Sequence, residues 1–291
     1  MVSMTAGGTL TQRRLLPSRF LIYAVAVVLA VLFGLPLLWA ALSSLKTFRE
    51  LYIFPPTWFP EAPQWVNYRD AWTSAPFGRF FINSTTVTLL SVVGTLLSSS
   101  FVGYGFARFR FPGRGILFLI VLSTLILPHQ VTVIPRFLLY REFGWLDTLL
   151  PLWVPWFFGG SAFGIFLFRQ FFLTIPNDLD QSARIDGAGF LTIFVRILMP
   201  LSQSVTVSLA ILTFLASWNE LFWPIIVLNT YEKYTLALGL QYFRTLATAG
   251  GELREHLLMA GAMMMTSVVL VVFIALQRYF TQGIVLSGLK G

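Results

Sequence analysis

Few side chains in this sequence can do chemistry, and most of them fall in two short stretches. IPNDLDQSARIDGAG, residues 175–189, places Asp178, Asp180, Gln181, Arg184 and Asp186 close together, and TFLASWNELFWP, residues 213–224, carries Asn219 beside Glu220. Gln130 and His129 form a third, smaller polar pair directly after Pro128. None of these groups is arranged for catalysis. The two histidines, His129 and His256, lack metal-ligand spacing, and with no cysteine there is neither a thiolate nucleophile nor a Cys-based metal site. Neither a serine nucleophile elbow nor a convergent carboxylate pair is present. No G-x-x-x-x-G-K-[ST] occurs, and Lys46, Lys233 and Lys290 have no glycine-rich approach suited to phosphate. The expectation is no catalytic residue, no metal site and no cofactor bound by this chain.

What the first stretch does have is a helix start and a helix stop. Pro176 blocks continuation of any preceding helix, Asn177 is placed to cap the next, and Asp180 three residues later resembles the acidic member of a capping box. Asp178 and Asp180 also fall in the first turn, where negative charge meets the positive helix end. Gly187 then supplies a left-handed stop. The helix so bounded is about nine residues, roughly 13 Å at 1.5 Å per residue, and isolated helices below roughly 12 residues are marginal in water. Two readings fit it: a capped connector lying on a membrane surface, or a helix held in a groove of a soluble partner.

The elements around it are far more apolar. Hydrophobic residues make up 56% of the 291, charged residues only 11%, and the mean hydropathy is +0.76, whereas a soluble domain is roughly 25% charged. Six uncharged windows are long enough to cross a bilayer: Phe20 to Leu45, Phe80 to Ala107, Gly115 to Pro135, Thr148 to Phe168, Ile197 to Asn219 and His256 to Gln277. They lack the alternation of barrel strands. The expected fold is therefore an all-α integral membrane protein of six transmembrane helices, a single domain over 20–282 with tails at 1–19 and 283–291, and no internal repeat. Pro128 and Pro135 in the third window, and Pro151 and Pro155 with Gly159, Gly160 and Gly164 in the fourth, predict kinks and close helix contacts. The segment 46–79 and the loop 229–255 are expected outside the spans.

Six crossings put both termini on one side. The tails with 108–114 and 169–196 carry about 11 Lys/Arg against about 9 on the other side, and about 3 acidic residues against 9. That bias makes the tails cytoplasmic. The net charge of +8 is scattered singly, which suits anionic lipid headgroups and excludes nucleic acid as a partner. Glu220, counted from an outer helix end near Leu228, is expected about 12 Å below it along a continuous helix. There it either makes a structural pair or lines a pathway together with Asn219 and, less directly, Gln130.

The first stretch resembles the EAA loop of ABC importer permeases, with Gln181, Ser182 and Ala183 at the triplet, Asp186 and Gly187 at the aspartate-glycine pair, and Pro200 downstream. YGFARFRFPGR at 104–114, TFLASWNELFWP and QRYFTQGIVLSGLKG at 277–291 extend the resemblance over nearly the whole chain, towards the maltose-type carbohydrate permeases. It implies a cytoplasmic coupling helix between spans 4 and 5, with Asp180, Gln181, Ser182, Ala183, Arg184, Asp186 and Gly187 as ATPase-coupling residues. Gln181 departs from the usual glutamate, which removes a charge from the docking face, and Asp180 is the neighbouring group that could replace it. The implied partners are a second permease subunit in a pseudo-symmetric heterodimer, two ATPase subunits that use ATP and Mg²⁺, an extracytoplasmic solute-binding protein and a sugar or related polyol. The implied location is a prokaryotic inner membrane. A secondary transporter driven by an ion gradient is the alternative; it calls for inverted repeats and mid-membrane ionisable residues.

Overall fold

A computed structural model describes residues 16–248 and 254–288, and every regular element among them is helical. The principal helices are α1 (Leu16–Ser43), α2 (Phe77–Arg108), α3 (Arg114–Ser123), α4 (His129–Glu142), α5 (Ala162–Thr174), α6 (Asp178–Ile185), α7 (Gln203–Trp218), α8 (Phe222–Val227), α9 (Leu236–Thr248) and α10 (Glu255–Gly288). Helix α1 begins inside the expected N-terminal tail, and α10 runs through the first part of the expected C-terminal one. The remainder of both tails, 1–15 and 289–291, lies outside the described residues.

Among the described residues, four stretches are long and apolar enough to cross a bilayer: Phe20–Ser43, Phe77–Arg108, Leu150–Thr174 and Glu255–Gln277. A fifth is a pair, Phe190–Leu201 and Gln203–Trp218, bent by 78°. Two expectations of continuous helices therefore need correction. The third window is two helices, α3 and α4, because Pro128 is extended (φ −61°, ψ 134°) and starts a new helix. The fifth is broken near Ser202, after a π turn over Phe194–Leu198 in which the Met199 N–H reaches back to the Phe194 carbonyl. The segment expected outside the spans at 229–255 contains, among its described residues, a 3₁₀ turn at Tyr231–Lys233 and the 13 residues of α9.

Helix α2 is the centre. Ser, Thr and Gly along it let α5 and α7 approach closely: a Cβ on Gly103 would lie 2.8 Å from Phe168 Cβ and 3.0 Å from the Arg169 backbone nitrogen. Towards one end α2 joins a core of Phe77, Phe80, Trp218, Phe243 and Leu257. Towards the other it joins Tyr104, Phe168, Phe172, Ile193, Phe194 and Leu198. The segment between α1 and α2 is tied down by polar contacts, as its prolines demand. Glu50 and Thr47 form a capping box, and Glu50 Oε1 accepts from the Glu61 N–H at 2.8 Å. The backbone N–H groups of Thr47 and then Glu61 hold the Glu50 carboxyl below its ordinary range. Lys46 is buried, donates to the Thr57 carbonyl and lies 4.6 Å from the Trp39 ring centre.

Candidate functional site

Helix α5 stops at Ile175, which is extended (φ −78°, ψ 127°) ahead of Pro176. Eight residues of α6 follow at once. Its start is not the expected cap. Asn177 is helical (φ −68°, ψ −17°) and makes no capping bond, and Asp180 does not close a box. Both side chains are taken by Arg108, the last residue of α2. Arg108 Nε lies 2.9 Å from Asp180 Oδ2, Nη1 donates to Asn177 Oδ1 at 2.7 Å, and Nη2 donates to the Ile175 carbonyl at 3.0 Å. The Arg108 and Asp180 side chains are 5% and 7% exposed. A guanidinium this dry needs acceptors, and charge-assisted bonds to it outweigh neutral caps to backbone N–H groups.

The stop is the expected one. Gly187 adopts φ +83°, its N–H donates to the Arg184 carbonyl at 3.0 Å, and the Ala188 N–H donates to the Ala183 carbonyl at 2.9 Å. These two bonds and the left-handed glycine constitute a Schellman motif. Nothing lies within 4 Å of a Cβ placed on Gly187, so backbone conformation alone demands glycine there. Arg184 then caps the turn by lying 4.7 Å over the Phe190 ring.

The two faces of α6 are thereby separated. Asp180 and Ala183 turn inward, Ala183 against the core around Phe172 and Ile193. Gln181, Ser182, Arg184 and Asp186 are exposed, as are the apolar Leu179 (41%) and Ile185 (87%). Asp180 is thus committed to Arg108 and does not replace, on the outer face, the charge that Gln181 lacks. Beyond Gly187 the chain enters Phe190–Leu201, whose Ile193, Phe194 and Leu198 are buried against α2 and α5, and the Phe190 carbonyl accepts from Tyr104 Oη at 3.2 Å.

The second stretch lies elsewhere. Helix α7 ends at Trp218 and α8 begins at Phe222, so Glu220 sits in a break, and its depth cannot be counted along a helix. Glu220 Oε1 caps the start of α8, accepting from the N–H groups of Phe222 at 2.8 Å and Trp223 at 3.2 Å. Glu220 and Gln130 line one cavity of about 550 Å³ between α4, α7 and the start of α8. Asn219 is not on its wall and instead donates to the Leu215 carbonyl at 2.8 Å. Arg136, Tyr140 and Trp223 share that wall and escaped the sequence reading. The signal was there for Arg136, the first charge after the third apolar window.

A further unforeseen cluster holds the opposite end of the bundle. Asp147, at φ +55°, accepts from the Asn229 and Thr230 N–H groups at 2.9 and 2.8 Å, from Thr230 Oγ1 at 2.5 Å and from Lys233 Nζ at 2.8 Å. Lys233, then Thr230 and the two N–H groups, hold the Asp147 carboxyl well below the usual carboxylate range. Asn83 Nδ2 secures the next turn, donating to the Glu232 and Tyr234 carbonyls at 2.9 and 3.0 Å.

Comparison with known proteins places this arrangement. Residues 99–285 match the family described as binding-protein-dependent transport system inner membrane component. The chain is 32% identical over 261 residues to the probable ABC transporter permease protein YurM of Bacillus subtilis, covering 88% of this chain and 83% of that one. It is 31% identical over 264 residues to the sn-glycerol-3-phosphate transport system permease protein UgpE of Pectobacterium atrosepticum, covering 89% and 92%. With the osmoprotective compounds uptake permease protein GgtD of Synechocystis it shares 32% over 275 residues, covering 92% and 91%. The fold is that of a solved bacterial ABC transporter involved in the import of the acidic polysaccharide alginate, with a TM-score of 0.78, 23% identity and coverage of 94% of this chain and all of the other. The chain belongs to the inner membrane permease components of binding-protein-dependent ABC transporters.

Proposed function

We propose that this chain is one of two permease subunits in an ATP-driven importer of a sugar or related polyol, and that α6 is its coupling helix. The observation that carries the reading is α6 itself. It is too short to span, it is fixed at both ends, and its free face pairs polar Gln181 and Ser182 with exposed Leu179 and Ile185. Such a face is built to be covered by protein, since apolar side chains of this size gain about 1.5–3 kcal/mol each on full burial. One of two separate ATPase subunits, which use ATP and Mg²⁺, would cover it. Their closure would move α6, and the membrane helices would alternate access to a solute delivered by an extracytoplasmic binding protein. In this reading α3 and α4 together make a sixth crossing, a second permease completes the pathway, and both termini face the cytoplasm of a prokaryotic cell.

The experiment is copurification combined with cross-linking. The absence of cysteine makes Ile185→Cys a unique thiol in this chain. It is expected to cross-link to the ATPase subunit in the assembled complex, and the link should abolish ATP hydrolysis stimulated by the loaded binding protein. A thiol at Ile185 that stays fully accessible to a polar maleimide in a complex containing both ATPases sinks the assignment.

A further inference from the structure

The cavity on this subunit is lined by one basic side chain, Arg136, and one acidic one, Glu220. Arg136 is exposed on α4, and its guanidinium carbon lies 5.8 Å from the centre of the Trp223 ring. No carboxylate pairs with it among the described residues. Glu220 shares the wall, yet no ion pair joins the two, and its Oε1 is already committed to two backbone N–H groups. Glu220 keeps its charge on this wall with Oε1 held by two backbone donors, whereas no carboxylate lies within ion-pair distance of the Arg136 guanidinium among the described residues.

An arginine on the wall of a membrane-protein cavity is costly unless it faces water or a partner, and contact with one indole ring is a weak reason to keep it there. A guanidinium offers a planar fork of donors that fits an oxyanion with two parallel bonds. The same cavity is lined by Ser217, Gln130 and Trp156, groups suited to hydroxyls and to the C–H face of a small polar solute.

We infer that this cavity is a solute site on the chain itself and that Arg136 selects solutes bearing an oxyanion, a phosphate or carboxylate on a sugar or polyol. The inference rests on the importer reading for the word solute. The anion preference of the cavity stands on Arg136 alone, so the two fail separately.

Ser217 lines the cavity, and Ser217→Cys would be the sole thiol of this chain. In the assembled transporter its rates of reaction with an anionic and a cationic methanethiosulfonate of similar size measure the field directly. The anionic reagent should be favoured, the ratio should fall roughly tenfold with Arg136→Gln, and Arg136→Lys should restore most of it. A ratio unmoved by Arg136→Gln overturns the proposal. In proteoliposomes with the binding protein, glucose 6-phosphate and glucuronate are set against glucose and maltose, the first pair distinguishing phosphate from carboxylate. Uptake of a charged solute that drops at least tenfold in Arg136→Gln, with binding-protein-stimulated ATP hydrolysis retained, supports the assignment. Uptake of neutral solutes only, unchanged by the substitution, overturns it while leaving the importer intact. Absence of any ATP-dependent uptake removes the importer reading and this solute assignment with it, whatever the thiol rates show.

Discussion

Asp180→Asn tests the staple beneath α6 most directly. The substitution keeps the side-chain volume but removes the charge that Arg108 Nε faces at 2.9 Å, in a contact whose two side chains are 5% and 7% exposed. Removing one partner of a buried ion pair costs about 3–5 kcal/mol, because the other charge is left dry and unpaired. Arg108 still reaches Asn177 Oδ1 and the Ile175 carbonyl, which places the expected cost near the low end, about 3 kcal/mol. At 1.4 kcal/mol per tenfold, that is roughly a hundredfold rise in the population with α6 detached. Hydrogen exchange reads this population locally. Amides of Asp180 and Gln181, both bonded to the Asn177 carbonyl at 3.0 and 3.1 Å, should exchange about a hundredfold faster in the assembled complex, while amides in the middle of α2 do not change. Pairing the change with Arg108→Met removes the stranded charge. The double variant should therefore exchange more slowly than Asp180→Asn alone. Wild-type exchange in Asp180→Asn would refute the argument, since the pair would then hold nothing. Equal or faster exchange in the double variant would refute the attribution to a stranded charge.

Other expectations follow from the same geometry. Gly187→Val should uncouple ATP hydrolysis from the loaded binding protein while the chain still inserts. Gly187→Asn, which tolerates positive φ and finds nothing within 4 Å of its Cβ, should retain most coupling; equal loss in both would show that space and not φ is limiting. Asp147 has a depressed pKa in the fold, so its contribution is present above the unfolded carboxylate value, near pH 4, and disappears only as pH falls through the lower folded value. Exchange at 145–148 and 229–233, corrected for intrinsic rate, should be steady from pH 7 to about pH 4, and Asp147→Asn should loosen it already at pH 7. Loosening of the wild-type loop near pH 5 would contradict the bonding scheme.

How far the fold could be read without coordinates depended on whether a feature was local. The stop of α6 was legible because Gly187 and the two bonds around it lie within six positions. Its start was misread because the group that takes Asn177 lies 69 residues upstream, and no pattern around Asn177 announces it. The clasp at Asp147 joins residues 86 apart and was invisible for the same reason. Charge-free windows found the long helices, since a bilayer reads composition. They could not find the breaks. Pro128 and Pro200 marked places where a helix weakens without fixing the angle, and the break at 219–221 falls just before Pro224, with the Glu220 side chain accepting the first two N–H groups of α8. That same residue was counted as part of a continuous span. The surface of α6 was legible in its polarity but not in its facing, which placed Asp180 outward when Arg108 draws it in.

The double anchorage of α6 has a mechanical meaning. A helix held at one point hands on displacement and loses rotation, because it can pivot. Here one end is pinned to α2 through the guanidinium of Arg108, and the other passes through a rigid glycine stop and the Arg184–Phe190 contact into the segment that bends onto α7. A turn applied to the exposed face of α6 has no slack at either pin in which to dissipate. It reaches α2 through Arg108 and α7 through the segment that joins α6 to it, and α2 and α7 also pack against each other.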